Sequence, residues 1–222
     1  MSYNFADSSS VGRRLPVYLL LDISGSMDGA PLQAVNQGVS FLYNELMDSP
    51  QAVETCWISV ITFESQAQQI IPLTELTKFT PPVLQSGGST SMGAALDILS
   101  QAIDHEIIGN AGEKRGDYKP LIFLLTDGEP TDDWRSALQR LQSRTQKKPA
   151  TIIAIGCGQG ANMSTLKQIT EHALRLTDAT PGSIASFFKW VSQSIKSASI
   201  LASSGGGQTA MPAPPPTMTI EI

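Results

Sequence analysis

Three short segments of the chain carry side chains whose oxygen atoms could share one ligand. Asp22, Ser24 and Ser26 lie in the first segment, Thr90 follows two glycines in the second, and Asp127 belongs to a Thr-Asp-Gly-Glu-Pro sequence in the third. Carboxylates and hydroxyls, without sulfur or imidazole, suit a hard cation such as Mg²⁺, Mn²⁺ or Ca²⁺. The five side chains are therefore a candidate metal site, provided that the fold brings them together.

This donor set would leave a bound cation only partly neutralised. Three of the five groups are neutral hydroxyls, and at most two carboxylates contribute negative charge. A cation held in this way keeps affinity for an anion from outside, most simply an Asp or Glu side chain of a partner protein. The pattern indicates capture of a protein ligand through a metal ion.

Apolar runs determine where two of these segments lie. Residues 17–21 precede Asp22 and residues 121–125 precede Thr126 and Asp127, and both runs are typical of strands buried on both faces of a parallel sheet. Thr90 lies just before a helix predicted to begin near residue 91. Because the carboxyl ends of parallel strands share one rim, the three segments are expected to converge there.

Strands and helices alternate along the rest of the chain. This order predicts an α/β fold with an open, mostly parallel, doubly wound (Rossmann-like) sheet and helices on both faces. One short antiparallel edge strand is expected near residues 70–73, where Pro72 fits an edge better than a centre. Further strands are predicted at 57–63, 151–155 and 174–176, and helices from Pro31, near 91–103, near 134–141, near 166–169 and at 184–200.

The domain organisation predicted from composition has three parts. Residues 1–14 form an N-terminal lead-in, residues 15–202 form one domain, and residues 203–222 form a flexible Gly/Pro-rich tail. Residues 217–222 alternate at the strand period, so a smaller expectation is that they add to a sheet edge. Residues 109–118 are predicted to be a polar, glycine-rich loop.

Composition excludes several classes of function. The chain has 222 residues, 41% of them hydrophobic, a formal net charge of −5, two cysteines and two histidines. An acidic chain of this kind is a poor nucleic-acid binder, and a metal site built on several His or Cys residues is excluded. No apolar run reaches the roughly 20 residues of a membrane span, and residues 1–10 lack a secretory pattern, so a cytoplasmic protein is expected.

The motif Asp22-x-Ser24-x-Ser26, followed by Thr90 and Asp127, resembles the metal-ion-dependent adhesion site (MIDAS) of von Willebrand factor A (VWA) domains, over about residues 15–200. The resemblance implies a non-enzymatic, Mg²⁺-dependent protein-binding module. It also implies that Ser24, Ser26 and Thr90 bind the ion directly, that Asp22 and Asp127 often act through water, and that an acidic residue of the partner completes the site.

A narrower resemblance is to the TerY-like family of bacterial tellurium-resistance proteins. It is carried by residues 13–22, 126–134, 166–172 and 187–192. It implies a role in a tellurite-resistance or stress-response system, with a protein kinase and a PP2C-type phosphatase as associated partners.

Two other functions remain open from the sequence. A Mg²⁺-dependent phosphohydrolase could use Asp22 as its nucleophile, but that chemistry needs a second acid two residues later, where Ser24 stands. Alternatively, the chain is a VWA scaffold that binds partners without metal, and Asp22, Ser24 and Ser26 only cap a turn. A serine hydrolase is disfavoured, because no Gly-x-Ser-x-Gly sequence follows a strand.

Overall fold

A seven-stranded sheet forms the centre of the protein in a computed structural model, which describes residues 12–112, 115–143, 150–203 and 211–220. The strands are β1 (Leu15–Asp22), β2 (Cys56–Phe63), β3 (Ala67–Glu75), β4 (Leu121–Thr126), β5 (Thr151–Cys157), β6 (Ala173–Leu176) and β7 (Met218–Ile220). Their order across the sheet is β3-β2-β1-β4-β5-β6-β7. The five central strands are parallel, and β3 and β7 are antiparallel to their neighbours.

Helices cover both faces of this sheet. They are α1 (Ala30–Met47), α2 (Pro50–Thr55), α3 (Met92–Glu106), α4 (Trp134–Gln142), α5 (Met163–Ile169) and α6 (Pro181–Ser203). Helices α1, α2 and α6 pack on one face and α3, α4 and α5 on the other. The predicted open, doubly wound α/β fold is therefore confirmed. None of the helices in the described ranges is both long and apolar enough to cross a bilayer.

The strand β1 shows why a continuous apolar run suits the centre of this sheet. All eight of its residues are buried. Successive side chains point to opposite faces, so Leu19 packs with α1 and α6 while Leu20 packs with α3 and α4. A strand covered on both faces gains no stability from alternating polar residues, which explains the absence of alternation in its sequence.

The strand register places the ends of β1 and β4 side by side. Leu21 pairs with Leu125, so Asp22 and Thr126 each end their strand one residue later, at the same level. Thr126 in turn pairs with Gly156 of β5. The rim at the carboxyl ends of the parallel strands thus carries the first and third oxygen-rich segments together, as the sequence predicts.

The C-terminal segment differs from the expected tail. Residues 211–220 lie against the sheet edge: Met218–Ile220 pair with β6, and the backbone N–H of Thr177 donates to the Thr217 carbonyl at 3.1 Å. The Trp190 indole N–H of α6 donates to the Pro212 carbonyl at 3.0 Å. A detached tail is therefore wrong for residues 211–220, because apolar side chains and backbone hydrogen bonds hold them. The lesser expectation, an added edge strand, holds for β7.

Two further differences concern the edges and the short elements. The sheet has two antiparallel edge strands instead of one, and β3 is nine residues long where a short strand was expected. Helix α2 and the 3-10 helices Gly25–Met27 and Leu76–Lys78 were not predicted. The domain boundaries at residues 14–15 and 202–203 stay predictions, and residues 1–11 and 204–210 lie outside the described residues.

Candidate metal centre

The serine segment and the Asp127 segment meet directly at the rim. The Ser26 hydroxyl donates to Asp127 Oδ1 at 2.7 Å, across 101 residues of sequence. The Ser24 and Ser26 hydroxyl oxygens are 3.1 Å apart. A turn capped only by its own side chains would not need this contact with a distant strand end, so the geometry favours one shared site.

Thr90 reaches the same place from the second segment. A Cβ atom built on Gly128 would lie 3.2 Å from Thr90 Oγ1 and 4.0 Å from Ser26 Oγ, so both hydroxyls border this glycine. Thr90 is largely buried, yet its hydroxyl makes no hydrogen bond to any residue that the structure describes. The structure therefore brings Ser24, Ser26, Thr90 and Asp127 together, and the Thr90 oxygen is left for a ligand.

Asp22 lies at the end of β1 and accepts hydrogen bonds from residues of the first and third segments. It is fully buried; its Oδ1 accepts from the Ser24 backbone N–H at 2.8 Å, and its Oδ2 accepts from the Thr126 hydroxyl at 2.5 Å. Burial raises the pKa of Asp22, and the hydrogen bonds from Ser24 and Thr126 partly oppose that rise. A positive charge next to this carboxylate would relieve the cost of its desolvation.

Glycines join the serine segment to the segment that carries Thr90. The Gly87 N–H donates to the Ile23 carbonyl at 2.9 Å, and the Gly25 N–H donates to the Gly88 carbonyl at 3.1 Å. Gly88 has a φ of +69°, and a Cβ there would collide with the side chains of Glu64 and Ser65. The pair Gly87-Gly88 thus allows a close backbone contact that holds the two ligand-bearing segments at a fixed separation.

The donor set fits a small hard cation. Neighbouring oxygens around a six-coordinate ion with bonds of about 2.1 Å are separated by about 3.0 Å. The distance of 3.1 Å between the Ser24 and Ser26 hydroxyl oxygens is close to this spacing. Among the described residues, no group of three or more His, Cys, Asp or Glu side chains could hold a metal, so a cation at this rim would take most of its ligands from hydroxyl oxygens.

Cys157 lies beside this site but does not fit it as a ligand. Both cysteines are free and buried, as the sequence predicts. Burial raises the pKa of Cys157, and the nearby carboxylates of Asp127 and Asp22 raise it further. A thiol is also a soft donor, whereas the hard cations that suit this oxygen-rich site prefer oxygen ligands.

Two residues that organise the site were missed from the sequence. Thr126 donates to Asp22, and Asp132 accepts hydrogen bonds from the first turn of α3. Thr126 directly precedes Asp127, so its position at a strand end was a usable signal. Asp132 precedes α4 by two residues, and local sequence would assign it to that helix rather than to α3.

An oxygen-rich pocket at the carboxyl rim of a doubly wound sheet defines the class of domain. The chain belongs to the von Willebrand factor type A domain family, whose sequence profile matches residues 17–189. An uncharacterized protein of Synechocystis sp., sll0103, is 28% identical over 168 residues, which are 72% of this chain and 37% of that protein.

Solved structures share the fold at low identity. The von Willebrand factor type A structure from Catenulispora acidiphila has a TM-score of 0.61 and 19% identity over 84% of this chain and 43% of that chain. Proximal thread matrix protein 1 of the mussel byssus, solved with a zinc-occupied MIDAS motif, has a TM-score of 0.58 and 20% identity. The match covers 82% of this chain and 48% of that chain. The ArnB paralog VWA2 from Sulfolobus acidocaldarius has a TM-score of 0.59 and 16% identity. The match covers 82% of this chain and 45% of that chain. The chain spans less than half the length of each of these relatives.

Proposed function

We propose that this VWA domain is a non-enzymatic module that binds a protein partner through a divalent cation at its rim. The observation that carries the proposal is the convergence of oxygen-bearing side chains from three separate segments, in which the Thr90 hydroxyl makes no hydrogen bond to a described residue and its oxygen is not enclosed. A structural turn has no need of such an arrangement, whereas a cation would occupy it.

Each of the five residues has a role in this proposal. Ser24, Ser26 and Thr90 bind the ion through their hydroxyl oxygens, and Asp22 and Asp127 hold ligands or water in place with their carboxylates. The bound cation supplies a positive centre that an Asp or Glu of the partner completes. The zinc-occupied MIDAS of the mussel protein supports a divalent ion in this fold.

Magnesium is the ion that we propose. All donors are hard oxygens, and the 3.1 Å between the two serine ligands, Ser24 and Ser26, matches a small ion better than the wider spacing around Ca²⁺. Mn²⁺ prefers the same ligands and serves as a probe of the same site, and Ca²⁺ is the alternative.

The geometry around Asp22 favours binding over phosphohydrolase catalysis. A nucleophilic carboxylate must be able to approach its substrate, but Asp22 is fully buried and each of its oxygens already accepts a hydrogen bond. Ser24, at the position where a second acid would be needed, has its side chain beside Ser26. Neither residue is placed for acid–base chemistry.

We further propose that the module works in the cytoplasm, in a bacterial tellurite-resistance or stress-response system. The support is the TerY-like sequence at residues 13–22, 126–134, 166–172 and 187–192. The kinase and PP2C-type phosphatase of such a system are candidate partners. Two unpaired cysteine thiols are in keeping with a reducing compartment.

The test is titration of Mg²⁺ and Mn²⁺ by calorimetry into the wild type and into Ser24→Ala/Ser26→Ala. Loss of two hydroxyl ligands should weaken binding by more than about a hundredfold, beyond the 10–100-fold typical of groups that only support a metal ligand. A metal-dependent pull-down with the wild type then identifies the acidic partner.

Ser40→Ala/Ser186→Ala is the matched control. Ser40 is exposed and Ser186 half-exposed, and each bonds only to the backbone carbonyl one turn earlier in its helix, so this variant should bind metal like the wild type. No metal binding by the wild type at millimolar ion, or equal binding by the Ser24→Ala/Ser26→Ala variant, contradicts the proposed metal centre. A partner captured equally well with and without metal would favour the metal-independent scaffold.

A further inference from the structure

The helix that follows Thr90 begins without a cap of its own. The residue before its first turn is Ser91, a residue type that commonly caps helices, but the Ser91 hydroxyl donates instead to the Ser65 carbonyl at 3.0 Å. The Thr90 hydroxyl does not cap the helix either. The first backbone N–H groups of α3 must therefore find another acceptor.

Asp132 supplies that acceptor from a different loop. Its Oδ1 accepts from the Gly93 N–H and its Oδ2 from the Ala94 N–H, both at 2.9 Å. The approach is close, because a Cβ on Gly93 would lie 2.9 Å from Asp132 Oδ2 and from the Trp134 backbone. A glycine in the first turn of α3 is thus required for this cap.

A second contact joins the same two regions. The Thr131 N–H donates to the Thr90 carbonyl at 2.9 Å. Thr131 and Asp132 continue the loop that begins with Asp127, so this loop holds both Thr90 and the start of α3. Thr90 and Asp127, which come from separate segments of the chain, are therefore fixed in position relative to each other.

We propose that Asp132 is a positioning residue of the metal centre, because it caps α3 in place of Thr90 and so leaves the Thr90 hydroxyl available to the cation. This inference rests on the proposed metal-binding function. Without the Asp132 carboxylate, the unpaired N–H groups of Gly93 and Ala94 recruit the hydroxyl oxygen of Thr90 as a cap, because the Ser91 hydroxyl is engaged with the Ser65 carbonyl. Thr90 then turns away from the ion, and the link to the Asp127 loop weakens.

The chain offers a closely matched control in the next residue. Asp133 also caps a helix, since its Oδ1 accepts from the Ser136 N–H of α4 at 3.2 Å, although Asp133 is exposed whereas Asp132 is half-buried. Replacement of either aspartate removes one negative charge and one helix cap. Of the two, only Asp132 accepts hydrogen bonds from the helix that follows Thr90.

The experiment is a Mn²⁺ titration of the wild type, Asp132→Ala, Asp132→Asn and Asp133→Ala, with free Mn²⁺ measured by electron paramagnetic resonance. Asp132→Ala should weaken Mn²⁺ binding by at least about tenfold, the scale of a lost supporting contact. Asp132→Asn keeps one acceptor oxygen and should lie between Asp132→Ala and the wild type. Asp133→Ala should stay within about twofold of the wild type, because it loses charge and a cap but no contact with Thr90.

The outcomes separate this inference from the proposed function. If the wild type binds no Mn²⁺, the metal centre itself is wrong and the role of Asp132 falls with it. If the wild type binds and Asp132→Ala binds equally well, or if Asp133→Ala weakens binding as much, Asp132 has no positioning role. Should Asp132→Ala fail to fold, the comparison of Asp132→Asn with Asp133→Asn decides by the same criterion.

Discussion

The polar groups at the two ends of the β1 strand have different partners. At its amino end, Arg14 makes a bidentate ion pair with Asp117, at 2.8 and 2.6 Å, and both side chains are largely buried. At its carboxyl end, Asp22 and Ser24 bond to neutral hydroxyls and backbone N–H groups. The amino end places a guanidinium against a carboxylate, whereas among the described residues no Lys or Arg forms an ion pair with Asp22 or Asp127.

The amino-end network is complete. The Tyr18 hydroxyl donates to Glu106 Oε2 at 2.9 Å, and Glu106 Oε1 accepts from Gln69 Nε2 and from the Leu73 N–H, both at 3.0 Å. The hydrogen bond to Asp117 is the main reason why the pKa of Arg14 is raised, and burial is the main reason why the pKa of Tyr18 is raised. Such a closed network stabilises the fold and offers nothing to a ligand.

The contrast teaches how to distinguish a structural polar cluster from a binding site in this fold. Both clusters contain carboxylates and hydroxyls, but at the rim the Thr90 hydroxyl makes no hydrogen bond to a described residue, and its oxygen is not enclosed, although the residue as a whole is largely buried. Substitutions at the amino end should therefore affect stability and spare metal binding. Substitutions at the rim should weaken metal binding and have less effect on stability.

The largest expected effect is on stability, from Asp117→Ala. This change leaves the Arg14 guanidinium buried without its carboxylate partner, at an expected cost of about 3 kcal/mol in the free energy of unfolding. Urea unfolding measures the cost, and Mg²⁺ affinity of the folded variant should be unchanged.

Asp97→Ala is the control for that prediction. Asp97 pairs with Arg140 at a similar distance of 2.6 Å, but this pair is exposed and screened by solvent, so the variant should unfold almost like the wild type. Equal losses in the two variants would show that burial does not govern the ion pairs of this protein.

Tyr18→Phe should have a smaller effect at the same end. It removes the hydroxyl donor of Glu106 but leaves the ring and the two remaining donors, so a loss of about 1.5 kcal/mol is expected. Urea unfolding measures the loss, with Tyr43→Phe as the control, because the Tyr43 ring packs against Phe79 at the protein's other face. A loss no greater than that of the control contradicts a closed network around Glu106.

The smallest expected effect is a dependence of the free energy of unfolding on pH, caused by the titration of Asp22. Its raised pKa means that the folded, metal-free protein holds the proton more tightly than the unfolded chain. Asp22 therefore costs stability above its folded pKa, and this cost disappears as pH falls toward the ordinary carboxyl range near ~4. In chelator-treated samples, the wild type should gain stability relative to Asp22→Asn on acidification. Parallel pH profiles of the two proteins would contradict this.

The sequence predicted the parts of the fold that local patterns encode. The apolar runs that became β1 and β4 end at Asp22 and Thr126, and the common direction of parallel strands is enough to bring the two segments to one rim. Pro31 correctly marked the first turn of α1. The rim position of Asp22 and Asp127 follows from strand direction alone, so it could be predicted without any tertiary contact, whereas that of Thr90, which precedes a helix, could not.

Contacts between distant segments could not be predicted in this way. Asp117 lies in residues 109–118, which were predicted to be a polar loop, but its side chain is buried against Arg14, 103 residues away. Asp132 likewise caps a helix 39 residues earlier. Both pairings depend on how helices and loops pack across the sheet, and no local pattern reports on that.

The added strand β7 also bears on how the sheet ends. An edge strand with free backbone N–H and C=O groups is a template on which another chain can pair and aggregate. Here β7 has only three residues and is preceded by Pro214, Pro215 and Pro216, while the opposite edge strand β3 contains Pro72. Proline has no N–H to donate, so Pro72 interrupts the donors of the β3 edge, and the prolines before β7 prevent that strand from being extended toward its amino end. We expect these features to disfavour edge-to-edge self-association.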